Sequence, residues 1–395
     1  MKFVIVTHAY DDFLADLYGA RPELATAPFA AQRQAYYDTL FGSADFYAHA
    51  LRRLGHDCEE FVYNAAPMQQ AWQRAHGAAG IAAEPPAARL VASAYGEAAQ
   101  LMRRVASNAA LRPLKAMARP LLRRIDRPWG AFLDQVRTIR PDVLYIQSVF
   151  AFADDKLRAL RKHADRIIGQ HAATPLPDVI DYRLYDLVMS SFPPTVDWLR
   201  ARGARAELVR LAFDPRVGER VPETRRDREL TFSGSLYGVH SSRLRLLEAV
   251  AAAFPQLEVR AAAALPLAEG SPLAGRVRPP LWGRAMYELL RRSVATLNHH
   301  GDVLPFANNM RLYEATGMGC LLVTDRKDNL ADMFEPEKEV VTYGDAAECV
   351  DKLRFYLAPE NAAARLSIMQ AGQRRTLSEH SYEARMRQLL ALLRA

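Results

Sequence analysis

The sequence has few cysteines and no long apolar run. Its three cysteines, Cys58, Cys320 and Cys349, are widely spaced, and none of them lies in a CxxC pair. This number and spacing exclude a disulfide framework and predict reduced, buried thiols. No stretch approaches the roughly 20 apolar residues that cross a bilayer, and acidic residues follow the first apolar run before a signal-peptide core is complete. These absences predict a cytoplasmic protein.

The sequence also lacks the patterns that hold metal ions. It contains no Asp-x-Asp, and no group of histidines, cysteines and carboxylates has metal-ligand spacing. We therefore expect neither a metal ion nor any other bound cofactor. Negative charge that develops in a reaction must then be met by helix ends, backbone amides and side chains such as Arg311.

The length and composition of the chain indicate two globular domains. A chain of 395 residues is too long for one ordinary core and suits two α/β domains of roughly 150–200 residues each. Hydrophobic residues make up 50% and charged residues 25% of the chain, which excludes disordered and fibrous classes. The net charge of +7 is compatible with diphosphate ligands without requiring them.

Short β-branched runs alternate with helical patterns in the first part of the chain. The predicted strands are 2–7, 59–63, 142–147, 166–170, 186–190 and 207–211. Strands separated by helices need crossover connections and therefore form a mainly parallel sheet. Residues 1–215 are predicted to form one doubly wound, Rossmann-like α/β domain.

A second α/β series begins after the charged, aperiodic residues 216–228, which are typical of an interdomain linker. Its predicted strands are 229–233, 257–261, 294–298, 320–324 and 340–343. We predict a second Rossmann-like domain over 216–380 and a helix over 381–395 that packs back on the first domain. Two such domains place a cleft between the carboxyl ends of their sheets, where ligands of this fold class bind.

The densest pattern of polar residues and glycines lies at 304–325, where a loop, a short helix and a strand follow one another. Asn308 or Asn309 is predicted to cap the helix, which leaves free amides for an anionic ligand. Arg311 and Glu314 lie three residues apart and therefore share one face of the helix. This combination predicts a site for an anionic ligand.

This stretch resembles the C-terminal half of the GT-B glycosyltransferases, in particular the relatives of the spore-maturation protein CgeB and of glycosyltransferase family 4. In those proteins an Asn-x-Arg-x-x-Glu pattern and a later glycine precede an apolar strand. The matching residues here are Asn309, Arg311, Glu314 and Gly319. The resemblance covers residues 230–380. It implies that Glu314 accepts hydrogen bonds from the ribose of a nucleotide-sugar donor, with Asn309 and Arg311 near its sugar and diphosphate.

The resemblance also bears on two histidines and on one departure from the family pattern. His299 and His300 end a strand where the donor loop of this family lies, which implies that they bind the donor. Many family 4 proteins carry an acidic residue shortly before the ribose glutamate, where this chain has Ala307. That departure argues against a standard retaining family 4 mechanism. On the simpler interpretation, Arg311 and Glu314 are a solvated ion pair and the histidines pack at a strand end.

A second candidate donor element is the small-residue loop that follows the first strand of the second domain. Ser233, Gly234 and Ser235 lie there, ahead of a helix that begins near Ser241 or Ser242. Such a loop offers backbone amides to a diphosphate. It has no GxGxxG or Walker spacing, so a plain turn between strand and helix is an equal alternative.

The first domain supplies the candidate acceptor side. The stretch after the first strand is predicted to be a long, aromatic-rich loop that recognises the acceptor. Within it, residues 41–45 resemble the Gly-Ser/Ala element that GT-B enzymes place opposite the donor diphosphate. An enzyme that inverts the anomeric configuration needs a general base, for which His171, Asp45 and His8 are the candidates. Each of them is equally consistent with a packed or surface polar residue.

A basic stretch at 98–125 interleaves arginines with apolar residues and contains no acidic residue before its end. It would suit peripheral contact with the anionic inner membrane face, although a helix with one buried face and solvated arginines explains the same pattern. Nucleic acid is not an expected partner, because no recognised binding module accompanies the charge.

Together these features predict a metal-independent glycosyltransferase of the hexosyltransferase type. Its partners would be a nucleotide-diphosphate sugar and a glycan, lipid-linked or protein acceptor. Two alternatives stay open: a nucleotide-sugar epimerase with the same architecture, and a non-catalytic sugar-binding protein. Fold analogy alone does not separate them.

Overall fold

The computed structural model describes residues 1–77, 127–172, 176–236, 241–262, 267–300 and 305–394. The chain divides into two compact units. The larger comprises Met1–His8, Gln34–Phe61 and Pro141–Ala395, and the smaller comprises Ala9–Arg33 and Val62–Arg140. The basic segment 98–125 lies outside the described residues. None of the described helices combines the length and the apolar character that a bilayer crossing requires.

Strands and helices alternate along most of the described chain. In chain order the strands are β1 (Lys2–Thr7), β2 (Asp57–Val62), β3 (Val143–Ile146), β4 (Arg166–His171), β5 (Leu187–Ser190), β6 (Ala206–Leu208), β7 (Arg228–Ser235), β8 (Glu258–Ala262), β9 (Val277–Arg278), β10 (Ser293–Asn298), β11 (Leu321–Asp325) and β12 (Val341–Tyr343). The helices are α1 (Asp11–Ala20), α2 (Phe29–Asp38), α3 (Phe46–Arg53), α4 (Ala66–His76), α5 (Arg127–Ile139), α6 (Asp154–Arg161), α7 (Pro193–Arg200), α8 (Arg216–Arg220), α9 (Ser241–Ala253), α10 (Gly283–Arg292), α11 (Arg311–Gly317), α12 (Ala346–Leu357), α13 (Ala362–Glu379) and α14 (Tyr382–Arg394).

The strands form two parallel sheets, with the orders β2-β1-β3-β4-β5-β6 and β12-β11-β10-β7-β8-β9. In each sheet the chain builds outward from its first strand on one side and then continues on the other. A topological switch point therefore lies between β1 and β3 in the first sheet and between β7 and β10 in the second. Two Rossmann-like sheets confirm the predicted fold class.

The predicted strands agree with the observed ones to within three residues at each end. Central strands are the easiest to predict because both of their faces are buried and they appear as unbroken apolar runs. Residues 3–6 of β1, for example, are at most 1% exposed. The sequence analysis missed the two-residue strand β9 and the short helix α8, which lies within the predicted linker.

The first crossover differs from the prediction. Instead of a long loop, it contains the helices α1 and α2. Its aromatic residues are mostly packed, since Phe13, Tyr36 and Tyr37 are 4%, 2% and 7% exposed, whereas Tyr10 is 65% exposed. The aromatic content therefore reflects core packing, and only Tyr10 offers a ring broadly to solvent among these four residues.

The smaller unit is held by buried glutamines as well as by apolar contacts. The hydroxyl of Tyr18 donates a hydrogen bond of 2.8 Å to Gln32, whose amide donates to the carbonyl of Ala27 over 2.8 Å. Gln135 donates to Gln69 over 2.7 Å, which links α5 to α4. Buried amides cost free energy unless they are paired, so these bonds fix how the helices of this unit pack.

The final helix, α14, packs against α3 next to the first sheet. The ring of Tyr382 lies 5.2 Å from that of Phe46 and 4.7 Å from that of Tyr47, measured between ring centroids. The chain thus crosses back to the first sheet after it has completed the second.

A close backbone contact joins the parts of the larger unit that carry the two sheets. The N–H of Arg284 donates to the carbonyl oxygen of Thr39 over 2.7 Å. Gly283 has a φ of +49°, and a Cβ at this position would lie 2.0 Å from the same oxygen. Only glycine permits this approach. The ring of Trp282 meets Phe41 edge-on beside it, at 5.2 Å.

Candidate functional site

Polar side chains gather at the carboxyl ends of β7 and β10, which flank the switch point of the second sheet. Open α/β sheets bind their ligands at this kind of position because the loops on either side of the switch point separate and leave a crevice. The loops after β5 and β10 meet here, with the rings of Phe192 and Phe306 5.9 Å apart. The edges of the two sheets therefore face each other.

The Arg311–Glu314 pair lies on α11 at this edge. The guanidinium of Arg311 is 3.1 Å from the Glu314 carboxylate, and the two side chains are only 14% and 12% exposed. Arg311 also donates to the carbonyl of Ser233 over 3.3 Å, which ties α11 to the end of β7. Burial raises the pKa of Glu314, an effect that Arg311 and the hydroxyl of Tyr287 oppose. The pair is therefore a desolvated structural unit rather than a solvated surface pair.

Asn309 does not cap α11. Residue Met310 precedes the first helical residue, and no side chain caps this end. The amide of Asn309 instead donates to Asn298 over 2.8 Å, and Asn298 donates to Thr324 over 2.9 Å. This chain of bonds runs across the ends of β10 and β11 and holds Asn309 at the switch point.

The two histidines after β10 have different surroundings. Both ring nitrogens of His299 are bonded within the protein: Nε2 lies 2.9 Å from the hydroxyl of Ser242 and Nδ1 lies 3.0 Å from the hydroxyl of Tyr343. Its carbonyl accepts a bond of 3.1 Å from Arg243. His299 thus fixes the loop to α9 and β12.

His300 forms a buried pair with Asp325, the last residue of β11. Both the backbone N–H and the ring Nδ1 of His300 lie within hydrogen-bond distance of Asp325 Oδ1, at 3.0 and 2.7 Å. The second oxygen of Asp325 is 3.3 Å from the ammonium of Lys327. Burial alone would raise the pKa of Asp325, but the bond and charge of His300 outweigh it and hold that pKa below its ordinary value.

Several buried polar atoms at this edge have no hydrogen-bond partner within the described part of the chain. Four of them are His300 Nε2, Asn308 Nδ2, Asn309 Oδ1 and Arg311 Nε, and Asp325 Oδ2 is a fifth that has an ion-pair contact with Lys327. We refer to His300, Asn308, Asn309 and Arg311 as the open polar cluster. Most buried polar groups in folded proteins are paired, because an unpaired one costs about 1–3 kcal/mol. A concentration of unpaired groups is typical of a place where water or a polar ligand supplies the partners.

The predicted small-residue loop is instead the end of β7, on the other side of the switch point. Ser233, Gly234 and Ser235 are half-buried strand residues that pair with β8, and the carbonyl of Ser235 accepts a bond of 2.7 Å from Arg243. Gly319 belongs to a different part of the structure. With a φ of +67° it makes the turn from α11 into β11, and its carbonyl accepts a bond of 2.6 Å from Arg226. Gly319 thus shapes the turn and does not join the open polar cluster.

At the edge of the first sheet, the candidate bases are not grouped in one cluster. His8 follows β1 and is exposed. His171 ends β4 and is 6% exposed, with its ring 5.5 Å from that of Phe150, which is itself 47% exposed. The ring of His171 is therefore largely buried and packs against Phe150. Ser43 donates to Gln147 over 3.2 Å and so connects the loop before α3 with the end of β3.

Asp45, the third candidate base, is bound by an arginine that the sequence analysis did not consider. Arg216 holds both oxygens of Asp45, at 3.0 and 3.1 Å, and also binds Asp214 over 2.6 Å. The side chains of Asp214 and Asp45 are 5% and 14% exposed. This Arg216 cluster connects the start of α3 with the chain segment that leads to the second sheet.

The sequence analysis missed Asp325 and Lys327 as well as Arg216. Asp325 follows an apolar strand directly, so its position at a sheet edge was available as a signal. Nothing local indicates that it pairs with His300. Among the residues that the structure describes, no group of three or more histidine, cysteine or carboxylate side chains is placed to hold a metal ion.

The described site and fold resemble known proteins in two ways. Residues 243–391 match the model of a family described as glycosyl transferase-like. This segment contains all of the open polar cluster together with Asp325. No curated protein sequence matches the chain.

Two solved structures match the fold over nearly the whole chain. A glycosyltransferase from Rickettsia africae ESF-5 has a TM-score of 0.55 and 8% identity, over 99% of this chain and 97% of that one. HepE from Anabaena, solved in complex with UDP-glucose, has a TM-score of 0.54 and 11% identity, over 100% of this chain and 99% of that one. The chain therefore has the GT-B fold, and its C-terminal part is similar to the glycosyl transferase-like family.

Proposed function

We propose that this GT-B protein is a glycosyltransferase that moves a sugar from a nucleotide-diphosphate donor to a glycan, lipid-linked or protein acceptor without a metal ion. The observation that carries the proposal is the open polar cluster, which lies at the switch point of the glycosyl transferase-like domain. Its unpaired donors and acceptors match a ligand that is rich in hydroxyl and phosphoryl oxygens.

We place the nucleotide-sugar donor at the carboxyl ends of β7 and β10 because the polar groups there suit its ribose, sugar and diphosphate. Glu314 is proposed to accept hydrogen bonds from the ribose hydroxyls, because a carboxylate with one oxygen bound to Arg311 still has free lone pairs. Asn309 and Arg311 are proposed to lie near the sugar and diphosphate. HepE, which shares the fold, was solved with UDP-glucose, and this supports a nucleotide-sugar donor for the present chain.

Metal independence is proposed because other groups are available to meet the charge of the leaving diphosphate. Arg311 has an unpaired Nε within the described residues, and the end of β7 at Ser233–Ser235 lies across the switch point from it. Fixed cations and amides of this kind stabilise developing charge without reorganising during the reaction.

The acceptor base is proposed to be one of the two histidines on the first sheet. Arg216 occupies both oxygens of Asp45, so Asp45 is the weakest of the three candidates as a proton acceptor. His8 is exposed at the end of β1, and His171 lies behind the exposed ring of Phe150. Both fit a role at the acceptor side, and replacing each by asparagine would separate them.

A thermal-shift panel of UDP-, GDP-, ADP- and dTDP-linked sugars tests the proposal. A ligand that binds only the folded state stabilises it by about 2.7 kcal/mol at a hundredfold excess over its dissociation constant, so one donor should raise the melting temperature by several degrees. Release of nucleoside diphosphate should then depend on an added acceptor and should persist in excess EDTA.

Three outcomes would count against this function. If no nucleotide sugar stabilises the protein and none is consumed, the donor class is wrong. If the donor sugar changes configuration without an acceptor, the protein is an epimerase. If EDTA abolishes activity and magnesium or manganese restores it, the metal-independent part is wrong.

A further inference from the structure

His300 has one ring nitrogen that the protein binds and one that it leaves unpaired. Nδ1 lies 2.7 Å from Asp325 Oδ1, and the backbone N–H of His300 binds the same oxygen. An ionised carboxylate only accepts hydrogen bonds, so Nδ1 carries the hydrogen of this bond. In the neutral ring, Nε2 is then a hydrogen-bond acceptor. It is buried and has no partner in the described chain.

Asp325 also fixes the orientation of the ring. Its Oδ1 faces Nδ1 and the backbone N–H of His300, and its Oδ2 lies 3.3 Å from the ammonium of Lys327. The Nδ1 side of the imidazole is therefore anchored, and Nε2 is the ring nitrogen left for a ligand.

A hydroxyl group suits Nε2 in either protonation state of the ring. It donates to a bare nitrogen and accepts from a protonated one, whereas phosphoryl oxygens and carboxylates only accept and therefore pair with the protonated form alone. A nucleotide-sugar donor carries hydroxyls on its ribose and on the transferred sugar, and Glu314 is already assigned to the ribose.

We infer that His300 Nε2 forms a hydrogen bond with a hydroxyl of the transferred sugar, and that Asp325 is the positioning residue that fixes the ring for this purpose. The inference rests on the proposed function and extends it, because it makes His300 a determinant of which sugar is accepted. His299 has no such role, since both of its ring nitrogens are bonded to Ser242 and Tyr343.

The test compares two variants by calorimetry, with the nucleotide sugar that stabilises the wild type in the thermal-shift panel and with its free nucleoside diphosphate. His300→Asn keeps a donor close to the position of Nδ1 and removes only Nε2. His300→Ala removes both groups. Thermal unfolding of each variant measures any effect on the fold.

We expect His300→Asn to weaken the nucleotide sugar about tenfold, which corresponds to one lost hydrogen bond, and to leave the nucleoside diphosphate within about twofold. Deoxy analogues of the sugar identify the hydroxyl. The analogue that lacks it should bind wild type and His300→Asn equally, as in a double-mutant cycle.

Other results overturn the inference. Equal weakening of the sugar nucleotide and the free diphosphate would mean that His300 binds phosphate. Normal affinity in His300→Asn with reduced affinity in His300→Ala would mean that His300 is only structural. If no nucleotide sugar binds the wild type, the proposed function itself fails and the inference fails with it. If the wild type binds one and His300→Asn binds it equally well, only the inference fails.

Discussion

Two buried arginines have opposite degrees of pairing. Arg216 uses all three guanidinium nitrogens on the carboxylates of Asp45 and Asp214. Arg311 binds Glu314 and the carbonyl of Ser233, but its Nε has no partner within the described residues. A fully paired arginine serves the fold, whereas a partly paired one still has a donor to offer. The comparison separates a structural region from the proposed binding region within one chain.

The largest expected effect is on stability and comes from removing the arginine of the Arg216 cluster. Arg216→Ala leaves Asp214 and Asp45 buried without a cation, and removing one partner of a buried ion pair costs about 3–5 kcal/mol. Urea denaturation should show a loss of this size in the free energy of unfolding.

Arg354→Ala is the matched control for this variant. Arg354 and Asp351 form an exposed pair, with side chains 63% and 73% exposed, and such pairs contribute less than about 1 kcal/mol. A loss for Arg216→Ala that is no larger than that of the control would mean that the Arg216 cluster is not structural.

The next effect is on the pH dependence of stability and concerns His380, another histidine whose two ring nitrogens are both bonded within the protein. Its Nε2 donates to the carbonyl of Met333 and its Nδ1 accepts from Arg385, each over 2.8 Å, so the ring must be neutral. Burial lowers the pKa of His380 to about 4, and the positive charge of Arg385 contributes in the same direction. The unfolded chain takes up this proton near pH 6.5, before the folded protein does. Stability is therefore fully present above about pH 6.5 and is lost as the pH falls toward 4.

Over that range the wild type should lose about 3 kcal/mol more than His380→Gln, whose amide keeps the bond to Met333. Urea denaturation of both proteins from pH 7 to pH 4 measures this difference. The contributions of titratable groups that both proteins share cancel when the two profiles are subtracted. Parallel pH profiles would contradict the assignment.

The smallest expected effect is on donor affinity and tests the proposed binding role of Glu314. Glu314→Gln keeps the shape of the side chain but removes the charge that is proposed to bind the donor ribose. A charge-assisted hydrogen bond contributes about 1.5–3 kcal/mol, so donor affinity should fall roughly tenfold to a hundredfold in calorimetry. Unchanged donor affinity in a folded Glu314→Gln protein would remove the ribose assignment.

Glutamine is preferred to alanine in this test because the side chain of Glu314 is largely buried. A glutamate in a solvated ion pair, the simpler interpretation of the sequence, could be replaced by alanine at little cost to folding. Because the Arg311–Glu314 pair is largely buried, Glu314→Ala would also leave Arg311 without its carboxylate. Binding and folding effects would then be mixed.

The sequence was sufficient to predict both sheets because central strands carry continuous apolar runs. Prediction from the sequence became inaccurate where a residue's role depends on a partner far away along the chain. Asp45 and Arg216 are 171 positions apart, and His300 and Asp325 are 25 apart. No local pattern encodes such pairs. Asn309 illustrates the same limit, because its helix-capping chemistry was plausible locally but Asn298 binds its amide instead.

The backbone contact between Gly283 and Thr39 has a consequence for recombining such proteins. The Arg284 N–H and the Thr39 carbonyl belong to the main chain, so this contact tolerates any side chain at residue 39 and any residue except proline, which has no N–H, at 284. Its other condition is the absence of a Cβ at position 283. A chimera that exchanges the second domain for that of another GT-B protein therefore needs a glycine at this point, and it does not need a matched pair of side chains to restore the contact.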